Sequence, residues 1–245
     1  DIDRGDDDGD GASWGTAKKY LRSAIALASD MDHEIWVAEG TYYPDEGSGA
    51  INNNKSSTFN IPDGVSVFGG FTGGEESLGD RDWEVNETIL SGDIDGTPHD
   101  NSHNAYHVIS MENVGEETVI DGFTITGGYA HGIVKNGGGI YNINGSPQII
   151  NCTIEDNNSG RNGGGVYNKA NGGADANPTF TNCTITGNGS KNDGDITWEG
   201  GGLYNLADGS GAVITLTNCI ISNNSGGYGG GLANRATNNG VVGYS

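Results

Sequence analysis

Gly137-Gly138-Gly139-Ile140-Tyr141-Asn142 is the phrase on which the reading of this chain turns. It recurs as Gly163-Gly164-Gly165-Val166-Tyr167-Asn168, as Gly200-Gly201-Gly202-Leu203-Tyr204-Asn205 and, with Ala in the Tyr place, as Gly229-Gly230-Gly231-Leu232-Ala233-Asn234. A second phrase falls between the copies: Ile150-Asn151-Cys152-Thr153-Ile154, Thr181-Asn182-Cys183-Thr184-Ile185 and Thr217-Asn218-Cys219-Ile220-Ile221. Two phrases alternating at a period of roughly 26–37 residues mark a repeat architecture, in which each unit buries its apolar face only against its neighbours.

Alignment of the copies predicts columns. Val119, Ile149, Phe180 and Leu216 share one slot, and Phe123, Cys152, Cys183 and Cys219 a second. Ile125, Ile154, Ile185 and Ile221 make a third, and Ile140, Val166, Leu203 and Leu232 a fourth. Strand side chains alternate between faces, so the second and third columns, two residues apart, face the same way. Stacked like on like, they form a thin core. The glycine triplets predict tight corners. Both sets of Asn, 151/182/218 and 142/168/205/234, are expected at bends, where Asn tolerates left-handed backbone and its amide reaches the rung above or below.

Composition agrees with a thin core. Only 33% of the 245 residues are hydrophobic and 45 are Gly, which is too little apolar matter for one round core but enough for a stack. The net charge of -22 disfavours nucleic acid and anionic membrane surfaces as partners and favours cations or high salt. No apolar run approaches a membrane span, so direct membrane insertion is not expected. The three cysteines occupy equivalent repeat slots, which reads as a buried row and not as a disulfide framework. The chain opens on Asp1 without an export or anchoring signal, and is expected to be a mature or excised part of a longer precursor.

Ahead of the repeats, Asp6, Asp8, Asp10 and Gly11 follow the spacing of a calcium loop, in which alternate carboxylates converge on one hard cation. Ala17 stands where an EF-hand would place its bidentate Glu, so half the motif is present. Structural calcium is expected at Asp6, Asp8 and Asp10. Ser13 is placed to cap an amphipathic helix over residues 14–29, with Ala17, Leu21, Ala24, Ile25 and Ala28 on one face. Such a helix would cover the first rung of a stack. Strands are expected at 34–38, 58–61, 65–68, 88–90, 107–111 and 118–126, separated by polar loops.

These residues resemble right-handed parallel β-helix proteins of the secreted and cell-surface kind. The alternation of a GG-aliphatic phrase with one ending in xxN is similar to the repeats of chlamydial-type polymorphic outer-membrane proteins, whose phrases are GGA[ILV] and FxxN. Phe180-Thr181-Asn182-Cys183 comes close to the second, with its Asn one position early. Gly11-Ala12-Ser13-Trp14, Glu34-Ile35-Trp36-Val37-Ala38-Glu39-Gly40-Thr41-Tyr42 and Leu90-Ser91-Gly92-Asp93-Ile94 look like large bacterial and archaeal surface proteins of the β-helix superfamily. The resemblance implies an all-β, right-handed parallel β-helix with an N-terminal capping α-helix. Residues 1–33 are then the acidic segment and cap, and 34–245 the β-helix. It also implies a prokaryotic-type secreted or surface location. Relatives of that kind include adhesins, and the wider superfamily includes polysaccharide lyases and glycosidases.

Several sites could carry chemistry. A glycosidase needs two carboxylates about 5–9.5 Å apart. Glu155 and Asp156 lie on one outer strand face, but the equivalent positions Thr186-Gly187 and Ser222-Asn223 supply no partner. Asp193, Asp195 and Glu199 cluster with Trp198 in the longest insertion, residues 187–199, where carboxylates beside an aromatic platform could bind sugar; the plainer reading is a solvated loop. Tyr141, Tyr167 and Tyr204 could form a flat strip for sugar or protein contact, or stack on one another under the following loops. The outward threonines are explained by β-propensity. His99, His103 and His107, with Asp93, Asp95 or Asp100, could form a metal site, although Pro98 argues against the helix that would align them. No G-x-S-x-G context supports a serine hydrolase.

The function expected from these residues is that of a structural, display or adhesion segment of a larger extracellular protein, with a polysaccharide or a cell-surface protein as partner. The alternative is a polysaccharide-active enzyme, lyase or glycosidase, or its carbohydrate-binding part. Residues 229–234 read as the start of a further rung, so more repeats or end-on association through an open C-terminal rung are expected.

Overall fold

The computed structural model describes residues 1–28, 33–97, 100–191 and 198–244. Its strands pair in parallel and build three long sheets and one short one. Sheet A runs through Glu34–Ala38, Ser66–Phe71, Val119–Asp121, Gln148–Ile150, Thr179–Thr181, Gly211–Thr217 and Val241–Tyr244. Sheet B holds Gly40–Tyr42, Thr88–Ser91, Thr124–Thr126, Thr153–Glu155, Thr184–Thr186 and Ile220–Ser222. Sheet C holds Phe59–Asn60, Ile109–Glu112, Ile140–Ile143, Val166–Asn171, Leu203–Asp208 and Leu232–Thr237. The short sheet D joins Tyr129–Ala130, Asn158–Ser159 and Gly189–Ser190. The chain visits C, A and B in turn, adds a strand of D after B at Tyr129–Ala130, Asn158–Ser159 and Gly189–Ser190, and returns to C beside its earlier strand. This arrangement is consistent with a β-helix-like solenoid.

The columns form with one correction. Ile154 pairs with Ile125 and Ile185, and Val166 with Ile140 and Leu203, as the phrases predict. The first column, however, starts at Ile120 and not at Val119. Ile149 pairs with Ile120, which is fully buried, while Val119 pairs with Gln148 on the outer face. A column through Val119 would need four steps to Phe123 where the next rung takes three from Ile149 to Cys152. One residue of slip turns every side chain to the other face, so burial decides the register.

The glycine triplets do two jobs. Gly163 takes φ 64, the left-handed conformation that makes the corner. At Gly164 the need is room: an added Cβ would stand 2.2 Å from the Gly189 carbonyl oxygen. The Asn sets also divide. Asn151, Asn182 and Asn218 are left-handed bends, with φ 51, 56 and 52. Asn142, Asn168 and Asn205 instead lie in strands and point inward. There Asn142 Nδ2 donates to Asn168 Oδ1 (2.6 Å), Asn168 to Asn205 (2.8 Å) and Asn205 to Asn234 (3.0 Å). Each of the three also donates to a main-chain carbonyl, of Gly145, Ala176 and Ala212. A second interior ladder, Asn157 to Asn188 to Asn224, links the corner between sheets B and D at 3.1 and 3.0 Å. Asn142 Oδ1 ends the first ladder without a partner, and the remaining buried amides satisfy one another and hold coil to coil.

The expected helix over 14–29 is shorter and broken. A 3-10 turn, Trp14–Thr16, is followed by extended backbone, and the α-helix covers Leu21–Leu27. The cause is Asp7: its Oδ1 accepts from the backbone N–H of Lys19 (2.8 Å) and Tyr20 (3.1 Å), so the chain starts a fresh helix there. Ser13 makes no capping bond. The apolar face survives, and Leu21, Ile25 and Ala28 join one core with Ile35, Val37 and Tyr42 of the first coil. Residue 29 lies outside the described residues.

An excursion over residues 72–87 leaves the stack between sheets A and B and is held by Arg81. Its guanidinium meets Asp121 Oδ2 at 2.6 Å, and the two side chains are only 6% and 10% exposed. It also donates to the carbonyls of Gly69 and Asp121. Residues 232–244 continue the stack as Leu232–Thr237 and Val241–Tyr244, which are the outer strands of sheets C and A.

Candidate functional site

Alternation along sheet C sends Ile140, Val166 and Leu203 inward and the tyrosines to the opposite face. Because the strands are in register, Tyr141, Tyr167 and Tyr204 fall in line. Their ring centres are 5.5 and 5.6 Å apart and their planes 8° and 10° from parallel, an offset stack. His107 extends it by one ring, 4.5 Å from Tyr141. Tyr141 is half-buried, and Tyr167 and Tyr204 are buried. A ring stacked on both sides offers a ligand its edge and hydroxyl, not its face. Burial raises the tyrosine phenols above their ordinary range, and Glu112 adds to this at Tyr141. Burial raises Tyr204 too, followed by Glu199, while Arg235 and Arg161 oppose the shift.

His107 Nδ1 lies on the Gly137 carbonyl oxygen, which can only accept, so this nitrogen carries the proton. Burial lowers the His107 pKa, and the bond to Gly137 opposes that in part. Sequence reasoning grouped this residue with His99 and His103. In the fold, His107 belongs to the ring stack and His103 to the 3-10 turn Asn101–His103, while His99 lies outside the described residues. His103 Nδ1 meets Asp95 Oδ2 at 3.3 Å and Ser102 Oγ at 3.2 Å. A Ser–His–Asp relay uses the two ring nitrogens separately, whereas here both partners share one.

Trp198 and Glu199 reach the far end of the stack. Glu199 bridges to Asn162 on one side and Tyr228 on the other, outside the main strands. Its carboxylate meets Arg235 Nη1 at 3.1 Å, which brings it beside Tyr204. Trp198 covers Gly227, where a Cβ would come 2.5 Å from the indole. Asp193 and Asp195 lie outside the described residues. Tyr204, Glu199, Arg161 and Arg235 are thus the residues gathered at this end, with the Trp198 indole against Gly227.

Asp6, Asp8 and Asp10 are exposed and serve local turns. Asp6 Oδ1 accepts from the Asp8 N–H (3.3 Å) and Asp10 Oδ1 from the Ala12 N–H (3.0 Å). Among the described residues no three His, Cys, Asp or Glu side chains group together. The carboxylate between them, Asp7, is the one that organises the segment, and its alternation with the expected ligands hid it. Among the described residues no helix is long and apolar enough to cross a membrane. Comparison with protein-family models, curated proteins and solved structures finds no match.

Proposed function

We propose that the chain is a right-handed parallel β-helix that serves outside the cell as a structural, display or adhesion segment of a larger secreted or surface protein. The observation that carries this reading is the set of side-chain ladders running from coil to coil. Two amide ladders and one ring stack tie four successive strands of sheet C and three of the corners into one axis. Side chains committed to axial contacts make a stiff rod whose loops project sideways, which is what display needs. Right-handedness follows from the parallel crossover rule. The resemblance of the repeats to those of surface proteins supports the location, and the charge of -22 suits solvated contact with neutral or basic partners.

Labelling intact cells of the source organism with an antibody to this segment tests the reading. Binding without permeabilisation is expected, and labelling only after lysis would overturn it. Release of reducing or unsaturated ends from a polysaccharide by the purified chain would replace display with enzymatic action.

A further inference from the structure

A groove of about 720 Å³ lies on the outer flank where sheets A and B meet, overhung by the excursion that Arg81 holds. Trp83 forms its wall, and Asn151, Asn182, Thr124, Thr153 and Glu87 line it below. Trp83 is 38% exposed, beside Val85 at 73%. It does not swing freely. The Arg81 guanidinium lies 5.0 Å from its centre, and its backbone is so close to Gly70 that a Cβ there would come within 2.7 Å. The excursion is thus anchored by an ion pair that is itself buried, and it presents an indole to solvent that core packing does not require.

The chemistry below the indole is that of hydroxyl recognition. Asn151 donates to Asp121 Oδ1 at 2.9 Å and Asn182 to Asn151 Oδ1 at 3.1 Å. Each amide commits one N–H to this outer ladder and keeps a second for a ligand. Thr124 donates to Glu87 Oε1 at 3.2 Å, and Thr153 and Thr184 follow it in register, one hydroxyl per coil. Strands stack about 4.8 Å apart, so these groups repeat along the groove at a fixed step, as the hydroxyls of a linear polymer do. Negative charge is concentrated alongside. Glu84 and Glu87 stand at the wall, and Glu155 follows Thr153 on the same strand. Burial, then Asp156 and Glu87, push the Glu155 carboxyl above its usual range. An anionic chain would meet this charge unpaired.

We propose that this groove binds a neutral, hydroxyl-rich glycan chain, with one pyranose ring against Trp83 and its hydroxyls on the Asn151–Asn182 amides and the Thr124 and Thr153 hydroxyls. This goes beyond the display role and can fail without touching it.

Affinity gel electrophoresis with hydroxyethylcellulose, glucomannan, arabinoxylan and polygalacturonate tests the site. Retardation by at least one neutral polymer and none by polygalacturonate is expected. Trp83→Ala and Thr153→Lys should each weaken binding at least tenfold, and Tyr228→Ala, away from the groove, should leave it unchanged. Thr153→Lys sits among carboxylates, so it fills the groove without adding repulsion and remains informative if Trp83→Ala loosens the excursion. Binding to none of the neutral polymers, preference for polygalacturonate, or binding that survives both groove substitutions would overturn the proposal.

Discussion

At Gly164 the backbone leaves no space for a methyl group. Gly164→Ala should cost about 1–3 kcal/mol through overpacking, read as a lower urea midpoint. Gly74→Ala, where a Cβ meets nothing, should stay within about 0.5 kcal/mol. Asn168 stands in the middle of a buried amide ladder. Asn168→Ala strands an N–H of Asn142, the Ala176 carbonyl and Asn205 Oδ1, and at about 1–3 kcal/mol for an orphaned buried group it should be among the most damaging single changes. His107 gives a pH signature. Its folded pKa lies below the ordinary 6.5, so below that pH the unfolded chain binds a proton that the native ring refuses. Its contribution is complete above 6.5 and declines as pH falls toward the folded value. The thermal midpoint of the wild type should therefore drop more between pH 7.5 and 5.5 than that of His107→Phe, and equal drops would refute the assignment. The thiols differ in the same physical way: burial pushes Cys152 up to about 12 and raises Cys183, whereas Cys219 is half-buried in the last coil. A maleimide should modify Cys219 first and leave the other two until unfolding.

Among the elements, the excursion over residues 72–87 has one buried ion pair, beside hydrogen bonds from Trp14 Nε1 to the Glu75 carbonyl and from the Asp82 N–H and Asn86 Nδ2 to the Gly70 carbonyl. Arg81→Met leaves Asp121 buried without its cation, which costs about 3–5 kcal/mol when the partner is not removed as well. The double change with Asp121→Asn should recover part of this. Limited proteolysis should cut the excursion in the single variant and spare the wild type; equal resistance would mean that packing around Trp83 suffices. The elements also show what the sequence made legible. The phrase Gly163-Gly164-Gly165-Val166-Tyr167-Asn168 revealed strand, corner and alternation together, because each position answers to a local rule. The Asn157–Asn188–Asn224 ladder went unseen although each Asn stands three residues after Ile154, Ile185 or Ile221, because the two residues between carry no hydrophobic side chain and differ from copy to copy. The helix was overextended for a related reason. Its apolar spacing is continuous from Ala17 to Ala28, and only a distant carboxylate, Asp7, interrupts it.

For the whole molecule, charge and edges set the behaviour in solution. A net charge of -22 repels itself in the compact state, so raising salt from low to physiological strength should raise the melting temperature. At the last coil, Ile220 is 60% exposed, Val241 67% and Tyr244 70%, and the outer strands of sheets A and C present unpaired backbone. Such an edge is a template for pairing. The groove beside Trp83 was invisible from sequence, since Trp83 and Asn182 come from distant segments and meet only because the strands are stacked.

The interior amides are separated by 26, 37 and 29 residues, yet they meet in one line. All variation in length is therefore carried by loops, and each coil behaves as a cassette. Excising residues 166–202 would splice Gly165 to Leu203 and regenerate the phrase Gly-Gly-Gly-Leu-Tyr-Asn. Asn142 would face Asn205, Ile154 would face Ile221, and a shorter rod should fold. The same length of chain removed out of phase should not. The molecule's length is thus an adjustable quantity, set by how many cassettes are written and indifferent to what their loops contain.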